Sequence, residues 1–148
     1  MADLERALQI AVTAHAGQKD KVGAPYVMHP LRMMATMRTD AERIVALLHD
    51  VVEDTDWTLD RLRAEGFAET IVQAVDCLTH REGESYEAFI ERASYDPIAK
   101  AVKIADLRDN LDASRLNGLT ESDIRRIIRY QNALARLRQR DAEPALGA

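Results

Sequence analysis

Three groups of residues in this chain carry types and spacings that can do chemistry. The densest is His49-Asp50-Val51-Val52-Glu53-Asp54, one imidazole and three carboxylates in a single short run. On a helix, His49/Glu53 and Asp50/Asp54 are i, i+4 pairs, and at about 100° per residue all four project to one side. Ile44, Val45, Leu47, Leu48, Val51 and Val52 cover the other. A charged helix side is ordinarily a solvated face. Here the crowded carboxylates repel one another with no Lys or Arg among them. They also sit toward a helix C-terminus, where the dipole disfavours negative charge. A bound cation answers both objections.

The second group is Asp106, which follows the apolar-rich stretch Ala101-Val102-Lys103-Ile104-Ala105. A carboxylate placed this way needs a partner or a metal. Lys103 and Asn110 share its helix face. From this segment alone, a Lys103–Asp106 ion pair with Asn110 as a cap stands beside a metal-ligand role. The third group is the loop from Gly17 to Pro30, with Gly17, Gly23, Lys19 and Lys21. Such a loop suits close approach to an anion, although surface loops share the composition. His29 at its end is either a cap or a ligand. His15, on an apolar stripe, reads as a packed or capping histidine, His80 as solvated, Cys77 as core, and Trp57 as a cover for the turn after Asp54.

The elements that must position these groups are all helical. Leu4, Leu8, Ala11, Val12 and His15 recur at helical spacing, with Gly17 as the stop. Pro30 is expected at a first helical position, opening a helix over Leu31–Met37. Thr39 and Glu42 have capping-box spacing ahead of a third helix predicted to run unbroken to about Glu53. Short helices follow over Leu59–Ala64 and Ala68–Leu78, separated by Gly66, and over Tyr86–Ala93, capped by Ser85. Asp96-Pro97 pairs an N-cap with Pro at N1 for a helix to about Ser114. Thr120 and Asp123 open a last helix to about Arg140, with Ile124, Ile127, Ile128, Leu134 and Leu137 as its packing face and its arginines as a solvated basic side. No strand-type alternation is present, so the fold class is all-α.

Bulk properties agree. The chain has 148 residues, long enough for one domain with a real core, and only 5% aromatic residues. A net charge of −5 argues against a general nucleic-acid partner, which needs a basic surface. One cysteine allows no internal disulfide. The opening Met1-Ala2-Asp3-Leu4-Glu5 lacks a signal-peptide pattern, and no apolar run reaches the roughly 20 residues of a membrane helix, so a cytoplasmic location is expected. One domain is expected over 1–142, with 143–148 as a flexible tail.

In order and spacing, these segments resemble the HD phosphohydrolase superfamily, and within it the hydrolase domain of RelA/SpoT homologues and the stand-alone small alarmone hydrolases. The residues carrying the resemblance are Ala14-His15-Ala16-Gly17-Gln18, Gly23, Pro25-Tyr26, His29-Pro30-Leu31, Ala46 through Thr55, Lys103-Ile104-Ala105-Asp106 and Asn110. The resemblance implies a single HD-domain helical bundle in which His29, His49, Asp50 and Asp106 ligate one divalent metal, usually Mn²⁺. It makes Glu53 and Asp54 the catalytic acidic pair and places Lys21, Lys103 and Asn110 at the substrate. The implied reaction is hydrolysis of the 3′-diphosphate of guanosine tetra- or pentaphosphate, releasing pyrophosphate.

Four positions depart from the alarmone-hydrolase pattern: Asp20 and Val22 replace the Arg and Ser of an Arg-Lys-Ser loop, Leu107 replaces an Arg, and Ala113 a Thr. Asp20 cannot stack on a base and adds negative charge near a polyphosphate. The alternative these departures support is the same metal chemistry on another phosphorylated nucleotide, as in a nucleotidase or a phosphatase of dinucleotide cofactors.

Overall fold

A computed structural model describes residues 1–142. Its helices are α1 (Leu4–Ala14), α2 (Met28–Thr36), α3 (Asp40–Leu48), α4 (Val51–Asp54), α5 (Leu59–Glu65), α6 (Glu69–Cys77), α7 (Tyr86–Ala93), α8 (Pro97–Asn110) and α9 (Glu121–Ala142), with a 3₁₀ turn at Ala113–Arg115. No sheet forms among the described residues, and one isolated antiparallel bridge joins Lys19 to Pro25. The all-α expectation holds. The expected 143–148 tail lies outside the described residues.

Helix α3 is the centre. Ile44 through Leu48 are buried all round because α1, α2, α6 and α8 surround it. Ala7, Ile10 and Ala11 of α1, Met33 of α2, Val72 and Val75 of α6, and Ala99, Val102 and Ala105 of α8 belong to the same cluster. A smaller cluster under α9 joins Ile90, Leu107, Ala133, Leu134 and Leu137.

Local chemistry sets the helix ends. Thr39 Oγ1 accepts from Glu42 N at 3.1 Å while the Glu42 carboxylate accepts from Thr39 N, a complete capping box. Thr120 and Asp123 reciprocate in the same way ahead of α9. Gly66 stops α5 at φ 99°, a left-handed conformation natural to glycine, and its carbonyl accepts from Ala2 N. Asp96 accepts from Ile98 N and Ala99 N, both at 2.9 Å, at the start of the helix that carries Asp106. Asp96→Ala is therefore expected to cost about 1 kcal/mol, read as a lower urea midpoint with an unchanged slope.

Four expectations need correction. The third helix does not run through to Glu53: it ends at Leu48, and Asp50, at φ −106° and ψ 0°, opens the separate turn α4. His49 therefore does not share an exposed face with Glu53. His49 is 3% exposed and turned inward, whereas Glu53 and Asp54 stay at the surface. Helix α2 begins at Met28, two residues before Pro30; proline is tolerated there because first-turn N–H groups have no intrahelical acceptor. Helix α8 ends at Asn110, not near Ser114, with the 3₁₀ turn beyond it. On α9, Leu134 and Leu137 pack, but Ile124 and Ile128 are exposed, because only the C-terminal half of α9 lies over α7 and α8 in a buried cluster.

Candidate metal centre and anion cleft

His29 from α2, His49 and Asp50 from the α3–α4 junction and Asp106 from α8 meet in the interior. Donor atoms of His29, His49 and Asp50 lie within 4.8 Å of one another. Asp106 Oδ1 is 2.9 Å from His29 Nε2 and 3.7 Å from His49 Nε2, and Asp50 Oδ2 is 3.0 Å from His49 Nε2. Crossings of three helices thus gather donor side chains separated by up to 77 positions in sequence.

His49 decides whether this cluster fits a cation. Its Nδ1 bonds the Ala46 carbonyl at 2.7 Å, so Nδ1 carries a proton and Nε2 is the free ring nitrogen. Nε2 is fully buried, makes no hydrogen bond, and faces the Asp50 and Asp106 carboxylates. A lone pair against two carboxylates requires either a second proton or a cation between them. Two imidazoles and two carboxylates suit a divalent ion of borderline hardness.

The charge balance follows from the neighbours. Burial alone would raise Asp106, but Lys103 and the two histidines hold it well below the usual carboxylate range. Lys103 Nζ sits 2.8 Å from Asp106 Oδ2, and Asn110 Nδ2 donates to Asp106 Oδ1 at 3.0 Å. The Tyr26 hydroxyl donates to Asp50, and burial together with that carboxylate pushes the phenol far above its ordinary value, so it remains a donor.

Glu53 and Asp54 form an outer pair. Their carboxylates and that of Asp50 lie within 4.8 Å of one another. Glu53 Oε1 accepts from the backbone N of His80 at 2.9 Å, and Gln18, itself bonded to His15 Nδ1, reaches the Asp54 carbonyl at 3.2 Å. Burial, then the charges of Asp50 and Glu53, push the Asp54 carboxyl up to about 6. A divalent cation held at Asp50 would favour the charged form. Carboxyl ¹³C titration should therefore give Asp54 a midpoint near 6 in protein stripped of metal, falling when Mg²⁺ is added.

A family model described as an HD domain matches residues 7–114. The chain belongs to the HD-domain family. Divalent-metal binding goes with that fold, and the ligand cluster and acidic pair all lie within the matched span. Over 121 residues this HD domain is 34% identical to a guanosine-3′,5′-bis(diphosphate) 3′-pyrophosphohydrolase of Aquifex aeolicus, covering 74% of the chain and 17% of that relative. A GTP pyrophosphokinase of Streptomyces coelicolor is 35% identical over 125 residues, 76% of the chain and 15% of the relative. The chain thus spans about a sixth of the length of these curated relatives. A solved structure described as a metazoan ortholog of SpoT that hydrolyzes ppGpp superimposes with a TM-score of 0.74. It is 26% identical, and the match covers 93% of this chain and 85% of that one.

Beside this cluster the HD domain has a cavity of about 310 Å³. Tyr26 and His29 lie on the wall shared with the cluster, Lys19 and Lys21 come from the loop, and Asn110, Ile127 and Tyr130 complete the sides, while Arg32, Arg115 and Arg126 line it together with their ion-pair partners Asp109, Asp112 and Asp123. Lys21 and Asn110, expected at the substrate, both line this cavity. Lys103 does not line the cavity: its ammonium is committed to Asp106. Asp20 lines the cavity, yet its Oδ1 accepts from Val22 N at 3.0 Å and Ala24 N at 2.9 Å, so the carboxylate ties its own turn together.

Sequence reasoning missed Tyr26 as the partner of Asp50 and Asp109 as the partner of His29 Nδ1 at 2.6 Å. The i, i+3 spacing of Asp106 and Asp109 signalled a shared face. It also read the α9 arginines as a solvated side, whereas Arg126 enters the cavity wall and Arg136 pairs with Glu91. His80 is exposed as expected, but its ring bonds the Glu84 carbonyl and its backbone holds Glu53.

Proposed function

We propose that this HD domain is a metal-dependent phosphohydrolase acting on guanosine 3′,5′-bis(diphosphate), removing the 3′-diphosphate as pyrophosphate. The observation that carries this reading is the orphaned, buried His49 Nε2 facing the Asp50 and Asp106 carboxylates, in a cluster whose His29 also lines the neighbouring cleft. The names of the curated relatives and of the solved neighbour supply the substrate class.

In this reading His29, His49, Asp50 and Asp106 hold one divalent ion, Mn²⁺ by the resemblance. When bound, it would neutralise phosphate charge and polarise the phosphoryl group. The chain's own residues would do the rest. Asp54, with its raised carboxyl, and Glu53, fixed by His80 N, are set at the rim of the cluster to orient a water and take its proton. Attack at the phosphorus on the ribose 3′-oxygen forms a new P–O bond and breaks the bond to that oxygen, which leaves protonated on the guanosine diphosphate. Lys21 lines the cleft where phosphate charge would be offset, and Arg126 lines it too, paired with Asp123. Lys103, expected to touch substrate, is better placed to hold Asp106. Because α9 supplies a cavity wall beyond the family match, the functional unit is taken as 1–142.

Location is proposed as cytoplasmic; no helix among the described residues is long and apolar enough to cross a membrane. The altered loop at Asp20 and Val22 keeps a second reading open, the same chemistry on another phosphorylated nucleotide. A panel of phosphorylated nucleotides incubated with Mn²⁺ separates the two. Fastest turnover of guanosine tetraphosphate supports the first reading. Turnover confined to another nucleotide keeps the metal site and replaces the substrate.

A further inference from the structure

Two helices face each other across the inner wall of the cleft with matched spacings. On α2, His29 and Arg32 are i, i+3; on α8, Asp106 and Asp109 are i, i+3. The four side chains interlock crosswise. His29 bridges both aspartates, with Nε2 at 2.9 Å from Asp106 and Nδ1 at 2.6 Å from Asp109. Arg32 grips Asp109 with two bonds, Nε to Oδ1 at 2.8 Å and Nη2 to Oδ2 at 3.0 Å. Arg115, from the 3₁₀ turn, closes the far side by donating to the Asp109 carbonyl at 2.9 Å, with Nη2 3.6 Å from Oδ2. Asp109 is thus held on three sides, and its side chain is only 13% exposed.

We infer that Asp109 is a positioning residue: its carboxylate, clamped by Arg32 and Arg115, fixes the His29 ring so that Nε2 is presented to the ligand cluster. The inference rests on the reading of His29 as a metal ligand. An imidazole that donates Nδ1–H to a carboxylate has its tautomer settled and its other nitrogen left as the ligand atom, with increased basicity. Nothing else bonded to His29 Nδ1 among the described residues competes for that job. A guanidinium holding a carboxylate bidentately is also a stiff support, because the two planar groups define one geometry. His49 reaches the same end by another route, through its bond to the Ala46 carbonyl, so each imidazole of the cluster has its own orienting acceptor.

The test is Mn²⁺ titration calorimetry on the wild-type chain and on Asp109→Ala, Asp109→Asn and His29→Ala, with thermal melts of the metal-stripped proteins alongside. Asp109→Ala should bind Mn²⁺ roughly 10- to 100-fold more weakly. Asp109→Asn, whose amide oxygen can still accept the Nδ1 proton, should recover most of that loss. In ¹H spectra of metal-stripped protein, the slowly exchanging Nδ1 proton of His29 should persist in the asparagine variant and vanish in the alanine one. A purely structural Asp109 would lower the melting temperature without this rescue and without the change at the His29 proton. If Asp109→Ala does not fold, Arg32→Gln decides, since it leaves the His29–Asp109 bond and the Arg115 contact but removes the bidentate grip on Asp109. Weaker Mn²⁺ binding there supports the inference, and wild-type affinity overturns it. Wild-type affinity in a folded Asp109→Ala, beside lost binding in His29→Ala, overturns the positioning role alone. Full binding by His29→Ala, or none by the wild type, overturns the ligand assignment and this inference with it.

Discussion

Asp106→Asn will remove tight divalent-metal binding and lower turnover on the order of 10³-fold or more, because it strips a charged donor from the centre of the cluster. It will also destabilise the protein by roughly 3–5 kcal/mol, the usual penalty for removing one partner of a buried ion pair. The reason lies in Lys103, whose side chain is 12% exposed and whose ammonium sits 2.8 Å from Asp106. Losing the carboxylate leaves that ammonium buried without its counter-charge. Asn110 loses a charged acceptor at the same time. Metal titration, steady-state rates and urea unfolding together check the three parts. A variant that loses metal but keeps full stability would show that Lys103 does not depend on Asp106.

Glu53→Gln should behave differently: kcat falls by about 10²- to 10⁴-fold while Mn²⁺ affinity stays close to wild type. Glu53 is exposed and anchored by a backbone N–H outside the His/Asp cluster. Glutamine keeps an oxygen to accept from His80 N, so the loop geometry survives and only the proton-accepting charge is lost. Asp54→Asn should likewise reduce kcat. If metal affinity collapses in Glu53→Gln as well, Glu53 is a ligand and not the base.

Much of this site was legible because short-range chemistry left marks in the sequence. Thr39/Glu42, Ser85, Asp96-Pro97 and Thr120 announce helix starts through their own hydrogen bonds, and each one caps as its type requires. The crowded carboxylates at His49-Asp50 pointed to a cation, and the buried Asp106 to a partner or a metal; Lys103 and Asn110 do bond it. What was not legible depends on tertiary contact. The break at His49-Asp50 has no Gly or Pro to mark it, so nothing local distinguishes it from a continuous helix. The His29–Asp109 bond joins residues 80 positions apart, and no periodicity reports it. Asp20 looked like a repulsive charge in a phosphate loop, and its turn-closing role emerges only from the folded hairpin of Asp20 to Ala24. The exposure of Ile124 and Ile128 depends on where α9 lies over its neighbours, which helical spacing cannot encode.

The most direct test of the central claim is to react the protein with guanosine tetraphosphate and Mn²⁺ in ¹⁸O-labelled water, with Asp50→Asn as the control, and to follow the label. Water attack at the phosphorus on the 3′-oxygen puts ¹⁸O into released pyrophosphate, none into guanosine diphosphate, and gives no product in the variant. Label in the nucleoside product, release of orthophosphate, no turnover by the wild-type chain, or undiminished turnover by Asp50→Asn would contradict the account.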